Sequence, residues 1–500
     1  VTPALVRHRA TARAAVVLAD GDIACDWRTA IMIRRLDVLS AAWEVWRAKA
    51  GGSASLMARQ QQRLQALITF ARTNSAFYQR LYQHLPDRIA RLSDLPPVSK
   101  RELMAHFEEW TTDPRVRLED VRAFIADPSL IGTPYLDRYT VWRTSGTTGS
   151  PGIFLHDREA VTIYIALLLV RYYLSWASPR EAWQIARRRW RTAFVYATGG
   201  HFATNAFERI THRLRPGADR NPPVFSAHLP LPDLVHALND SQPAVLATYP
   251  SVLAALTGEQ AAGRLRIHPL LIATGGESLK PSVRSQASAA FGCKVRDAYA
   301  ASEFMGIAFE CSAGQLHLNN DWVILEPVDE NYRPLPPGAP PHTVLLTNLA
   351  NRVQPFIRYQ MGDNVSLCAE PCPCGSPLPA IVVEGRDDEI LSFETPDGQR
   401  VAILPLPLAT VVMVIEGVQR FQLIQTGAKT LTIRLSVTAD AHAPSVWQTV
   451  FERLRAYLDS QGLPSVMLQR SDEAPMQATS GKFRHVWSEA HAQQAADRVK

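Results

Sequence analysis

Lysine is scarce in this chain: it contributes seven residues to an Lys+Arg total of 53, so the net charge of +6 rests on arginine. No run of basic residues alternates with aromatics, and acidic small molecules such as nucleotides account for that charge without nucleic acid as a partner. Cysteine is also sparse, at six in 500 residues, which excludes a disulfide-built scaffold. The longest apolar run, Val161 to Val170 with a continuation past Arg171 to Trp176, is too short and too interrupted to span a bilayer. Val1 to Ala10 lacks the apolar core of a secretory signal, so a cytoplasmic location is expected, with no membrane partner. Internal repeats and low-complexity tracts are missing too. With 46% hydrophobic and 20% charged residues, the composition is that of a globular chain of two or more units, one of them large.

The texture changes along the chain. Leu56 to Leu81 carries apolar positions at helical spacing, and Ser99 with Glu102 reads as a helix start after Pro96-Pro97, so the front end to about residue 135 is expected to be helical. From Tyr139 short strands alternate with helices: Tyr139 to Thr144, Ala244 to Thr248 and Leu270 to Thr274 are strands, and Arg158 to Trp176 is helical. This predicts an α/β fold, a large layered N-terminal domain with a largely parallel sheet. Phe421 to Gln425 and Thr430 to Leu435 read as a hairpin, followed by a helix over Ser445 to Asp459, so a smaller α+β domain closes the chain.

Two glycine-flanked stretches carry the chemistry. Thr144, Ser145, Gly146, Thr147, Thr148 and Gly149 form a turn whose glycines free the backbone to point successive N–H groups inward while the hydroxyls add donors, a nest for phosphate oxygens. An ordinary Ser/Thr/Gly hairpin loop has the same composition. It is not a Walker P-loop, because Ser150-Pro151 follows where that motif has lysine. Near the other end, Thr479-Ser480-Gly481-Lys482 delivers one ammonium on a loop.

These stretches, with Asp297 to Glu303, Arg358 to Asp363 and Gly385 to Asp388 between them, follow the order seen in the adenylate-forming acyl-CoA synthetase superfamily, which the chain resembles from about residue 55 to 487. Phe70 to Tyr78, Leu95 to Glu102 and Ala273 to Glu277 look most like the phenylacetate–CoA ligase branch. The resemblance implies an ATP-dependent reaction in two steps: a carboxylate attacks the α-phosphate and releases pyrophosphate, then a thiol of CoA or a carrier protein captures the acyl-adenylate. It implies Lys482 as the mobile catalytic cation and Glu303 as catalytic residue and magnesium ligand. Thr144 to Gly149, Gly276, Glu277, Tyr299, Ser302, Asp363 and Arg386 would bind ATP, with Tyr299 on the adenine and Asp363 and Arg386 on the ribose. Residues 1–386 would form the core and 387–500 a mobile lid turning on Asp388. The acid would sit among Tyr196, Gly199, Gly200, His201, Thr274, Gly275 and Ala300, a flat apolar slot suited to an aromatic ring; His201 has a structural reading as well.

The chain departs from the pattern in two places. Gly152 stands where many superfamily members have lysine after the loop proline, so the phosphate loop has no cation of its own. Ser392 to Val401 replaces the basic, glycine-containing segment that usually follows the hinge, which opens a second reading, an amide synthetase passing the adenylate to an amine. A catalytically silent nucleotide-binding homologue is a third; homodimer formation is left open.

Cys311, His317, Cys372 and Cys374 have the spacing of a structural zinc site in which two short loops are pinned together, with Cys368 as an alternative ligand. Reduced, unliganded thiols are the competing reading. Cys25 and Cys293 stand apart, without a catalytic role.

Overall fold

A computed structural model describes residues 35–144, 152–198, 200–214, 224–361, 363–384, 390–395, 397, 399–439, 441–476 and 484–489. The expected helical front end begins with Arg35–Ala50 and Gly52–Asn74. Ser75 ends the second helix and caps the next, Ala76–Leu81, its hydroxyl accepting the Tyr78 N–H. One apolar stripe therefore becomes two helices. Ser99 likewise accepts from the Glu102 N–H and starts the short helix Lys100–Ala105.

Two strands, β1 (Thr140–Arg143) and β2 (Ile153–His156), pair antiparallel, so the Ser/Thr/Gly turn is carried on a hairpin. The helix Arg158–Leu167 continues through a π-helical stretch, Leu168–Tyr173, to Leu174–Trp176. It is long and apolar enough to cross a membrane, but most of it is buried inside this protein as a core helix.

The remaining strands of the first part are β3 (Thr192–Tyr196), β4 (Val224–Ser226), β5 (Val245–Thr248), β6 (Leu271–Gly275), β7 (Lys294–Ala301), β8 (Phe304–Glu310), β9 (Leu316–Leu318), β10 (Val323–Val328), β11 (Thr343–Asn348), β12 (Tyr359–Gln360), β13 (Asn364–Leu367) and β14 (Ala380–Glu384). Nine of them form one sheet in the order β13-β14-β9-β8-β7-β6-β5-β3-β4. Strands β4, β3, β5, β6 and β7 run parallel, and β8, β9, β14 and β13 continue antiparallel, so the expectation of a largely parallel sheet is corrected to a mixed one. The parallel strands alternate with helices that cover both faces. The antiparallel half follows because short loops replace crossover helices after Glu303.

The C-terminal part contains β15 (Leu391–Glu394) and β16 (Arg400–Ile403), then β17 (Val418–Gly427) and β18 (Thr430–Val437), the predicted hairpin, and finally β19 (Met467–Arg470) and β20 (Val486–Ser488). The last four make a sheet covered by Pro405–Met413 and Ala443–Ser460. Leu391, Phe421, Leu423, Ile433, Val450, Leu454 and Val486 belong to its own apolar core. It meets the larger part where Arg143 donates to the Val414 carbonyl (3.0 Å), His228 Nε2 to Pro407 O (3.2 Å) and Gln461 Nε2 to His228 O (2.6 Å).

Candidate active site and metal centre

The parallel strands deliver their C-terminal ends to one edge of the sheet, where α/β folds gather functional groups. Thr274 at the end of β6 is buried and donates to Asp297 Oδ1 on β7 at 2.6 Å. Burial pushes the Asp297 carboxyl up to about 7, against the pull of that hydrogen bond. Two residues on, the Tyr299 hydroxyl donates to Asp363 Oδ2 at 2.6 Å. Glu303 lies buried in the turn between β7 and β8, its carboxyl raised by burial and hydrogen-bonded to Tyr359. Tyr299, Glu303 and Asp363, far apart in sequence, thus share one electrostatic neighbourhood.

Residues that carry no motif hold this turn. His156 Nε2 donates to the Ser302 carbonyl (2.9 Å), and its Nδ1 accepts from the Tyr164 hydroxyl (3.1 Å). Asn348 Nδ2 donates to that hydroxyl (2.9 Å) and to the Glu303 carbonyl (2.8 Å). Burial lowers His156 to about 3, so the ring stays neutral and its bonding pattern is fixed at all ordinary pH. Lys100 is a further residue whose role the sequence did not assign. Val98 N–H donates to Arg358 O (3.0 Å) and Gln360 N–H to Val98 O (2.9 Å), which ties the Pro-Pro-Val-Ser-Lys segment to β12. The ammonium of Lys100 then acts favourably on the Glu303 carboxylate.

Thr144 closes the base of the hydroxyl-rich loop: its N–H donates to Gly152 O (2.9 Å), and its Oγ1 accepts from Gly152 N–H (2.7 Å). A Cβ at Gly152 would lie 2.5 Å from the Phe154 ring, which is fully buried against Trp110 and Phe356. Any side chain there, lysine included, displaces a core aromatic. Arg143, next to the loop, is spent on Val414 O and lowered by burial. Ser145, Gly146, Thr147, Thr148, Gly149, Gly199, Arg386, Asp388 and Lys482 lie outside the described residues.

Of the expected acid pocket, Tyr196 meets Tyr249 edge-on at 4.9 Å, and Gly276, at φ +83°, brings its backbone against the same Tyr249 ring. Gly275 faces Ala298 in the β6–β7 register, and Ala300 and Gly200 are partly exposed. Two expected site residues have partners within the protein. His201 is buried, its Nε2 on Asp127 O (3.1 Å) and its ring against Phe124. Glu277 accepts from both the N–H and the hydroxyl of Ser251 (2.8 Å each), the carboxylate at the start of helix Pro250–Ala261.

The four residues Cys311, His317, Cys372 and Cys374 converge, their ligand atoms all within 4.8 Å of one another. Cys311 Sγ lies 3.6 Å from Cys372 Sγ, and Cys374 Sγ 3.3 Å from His317 Nε2. A tetrahedral zinc with Zn–S near 2.3 Å and Zn–N near 2.0 Å has ligand–ligand edges of about 3.5 to 3.8 Å, so the donor set fits. His317 Nδ1 donates to Leu378 O at 2.7 Å, which turns Nε2 toward the thiols, and burial lowers its pKa, favouring the neutral imidazole. Cys368 packs beside the cluster without joining the four. The cluster brings the β8–β9 turn and the start of β9 beside the β13–β14 loop.

Compared with solved structures, the chain is similar to 2-hydroxyisobutyryl-CoA ligase in complex with R3-HIB-AMP in the postadenylation state, at 20% identity and a TM-score of 0.50 over 89% of this chain and 91% of that one. It is similar to the same ligase with 2-HIB-AMP and CoA in the thioesterification state, at 21% identity and 0.50 over 88% and 92%. The fold is therefore that of an adenylate-forming acyl-CoA ligase, a large α/β domain with a mixed sheet and a small C-terminal sheet. No protein-family model and no curated protein matches the sequence.

Proposed function

We propose that this protein is an acid–thiol ligase of the phenylacetate–CoA ligase-like branch: it activates a carboxylic acid, aromatic by preference, with ATP, and passes the acyl group to the thiol of CoA or a carrier protein. The observation that carries the reading is the meeting of Tyr299, Asp363 and Glu303 at the C-terminal edge of the parallel strands. A carboxylate oxygen attacks the α-phosphorus, the bond to the bridging oxygen breaks and pyrophosphate leaves; the thiolate then attacks the acyl carbon and AMP leaves. Both first-step reactants are anionic, so the site must supply positive charge and alignment. Glu303 is the residue that would hold magnesium, which when bound neutralises phosphate charge. Lys100 adds a cation that the glycine at 152 withholds from the loop, and Lys482 would bring the other. Asp363, oriented by the Tyr299 hydroxyl, keeps an oxygen for a ribose hydroxyl.

In this reading residues 387–500 form the lid, and its rotation about Asp388 parts the Arg143–Val414, His228–Pro407 and Gln461–His228 contacts. Cys311, His317, Cys372 and Cys374 hold a structural zinc. A second reading, an amine as acceptor, is favoured by one feature: the residues after the expected hinge form the β15–β16 hairpin, with Glu394 and Arg400 paired at 3.5 Å, in place of a basic glycine-containing segment. Mass spectrometry of products from ATP, an acid panel and either CoA, a phosphopantetheinylated carrier protein or amines tests both. A thioester supports the first reading, an amide the second, and neither product overturns both.

A further inference from the structure

The helix Pro179–Arg187 turns one face to solvent: Arg180, Trp183 and Arg187 are all exposed, and the Arg187 guanidinium lies 4.8 Å over the Trp183 ring. The chain then continues Arg188-Arg189-Trp190-Arg191, a basic run interrupted by one aromatic, which corrects the expectation that basic residues and aromatics do not interleave. Arg189 and Trp190 both stand at φ 54°, a conformation that a turn ordinarily assigns to glycine. The turn is nonetheless firmly built, with Arg189 N–H on Ala186 O (2.9 Å), Trp190 N–H on Ile185 O (3.1 Å) and Ala244 N–H on Arg191 O (2.8 Å). Large side chains are thus kept where small ones suit the backbone better, and they point outward: Trp183 is 58% and Trp190 42% exposed. Leu174, 69% exposed, lies in the last turn of the neighbouring helical segment, whose Trp176 shares an apolar cluster with Ile185.

None of Arg180, Arg187, Arg189 and Arg191 pairs with a carboxylate among the described residues; Glu181, the acid on this helix, is turned to Ser178 and Lys294. We infer that this patch docks the protein on an anionic lipid bilayer. Guanidinium groups pair with headgroup phosphates, Trp183 and Trp190 suit the interface with an apolar ring and a polar N–H, and Leu174 enters the acyl boundary. Phosphate recognition alone, as on nucleic acid, has no use for an exposed leucine. The patch adjoins the start of β3, at the opposite end of the parallel strands from the candidate site, so docking there does not cover the site. The proposed contact is peripheral and needs no spanning helix; it departs from the expectation of no membrane partner.

The test is co-sedimentation of the full chain with phosphatidylcholine vesicles and with phosphatidylcholine–phosphatidylserine vesicles, at low and high ionic strength. Wild type is expected to pellet with the anionic vesicles alone and to be released by salt. Arg187→Ala with Arg189→Ala lowers the partition coefficient more than about tenfold, since each arginine near the surface is worth roughly fivefold. Trp183→Ala with Trp190→Ala weakens it as well, and both variants keep the wild-type melting temperature. Failure of wild type to pellet, equal pelleting of folded variants, or binding to duplex DNA or an acidic protein but not to vesicles overturns the inference.

Discussion

The Tyr299 hydroxyl and the Asp363 carboxylate meet at 2.6 Å, joining the sixty-odd residues between β7 and β13 across one short bond. In the proposed function the Tyr299 ring would lie on the adenine, and its hydroxyl, bonded to Asp363, would orient that carboxylate. Tyr299→Phe keeps the ring and removes the donor. A hydrogen bond to a charged acceptor is worth about 1.5–3 kcal/mol, so the KM for ATP in acid-dependent pyrophosphate exchange is expected to rise about ten- to hundredfold. An unchanged KM would remove the orienting role.

The cysteine cluster predicts about one zinc per chain by elemental analysis. Cys372→Ser is expected to lose the metal and to lower the melting temperature, as chelation does for wild type, because the ion closes loops that the sheet alone leaves long. Cys368→Ser keeps the metal, since Cys368 lies outside the four. Zinc retained in Cys372→Ser would show that another residue supplies the ligand.

This cluster was also the part of the site most legible in sequence, because metal ligands come as few residue types at tight spacing. The strand before the Ser/Thr/Gly turn and the C-terminal hairpin were legible for a similar reason: turn residues punctuate apolar stretches; β2, the return strand Ile153–His156, was not expected. The antiparallel half of the large sheet was not, since β9 pairs with β14 across more than sixty residues and no local pattern encodes that partner. Nor were His156, Tyr164 and Asn348, whose work is to hold two carbonyls and a ring; such bonds leave no spacing signature. Glu277 shows the converse, a motif residue whose carboxylate caps a helix through Ser251.

Asp297 predicts a pH signature. Its folded pKa of about 7 lies above an unfolded value near 3.9, so the folded state holds the proton more tightly. Below roughly pH 4 the group contributes nothing; stability then falls as pH rises toward about 7, and the full penalty persists above it. Asp297→Asn removes this slope. Unfolding free energies from denaturant titration should coincide for variant and wild type near pH 4 and separate by on the order of a few kcal/mol near pH 8, with the variant more stable. A constant difference across that range would place the titration elsewhere.

Arg171 interrupts an apolar helix, and both it and Asp321 are fully buried, bonded through both guanidinium nitrogens at 2.7 and 2.8 Å. Arg171→Met strands a buried carboxylate, with Arg63 3.7 Å away as its remaining cation. Breaking such a pair is expected to cost about 3–5 kcal/mol, read from urea unfolding, whereas Arg171→Met with Asp321→Leu recovers much of it. A double variant as unstable as the single one would contradict an ion-pair origin.

Acid activation itself is tested most directly by exchange of labelled pyrophosphate into ATP, with benzoic, phenylacetic, cinnamic and fatty acids, in wild type and Lys482→Ala. Acid-dependent exchange is expected in wild type, strongest with one aryl acid, and is expected to be lost in Lys482→Ala at an unchanged melting temperature. Exchange with none of the acids, or undiminished exchange in the lysine variant, would contradict that expectation.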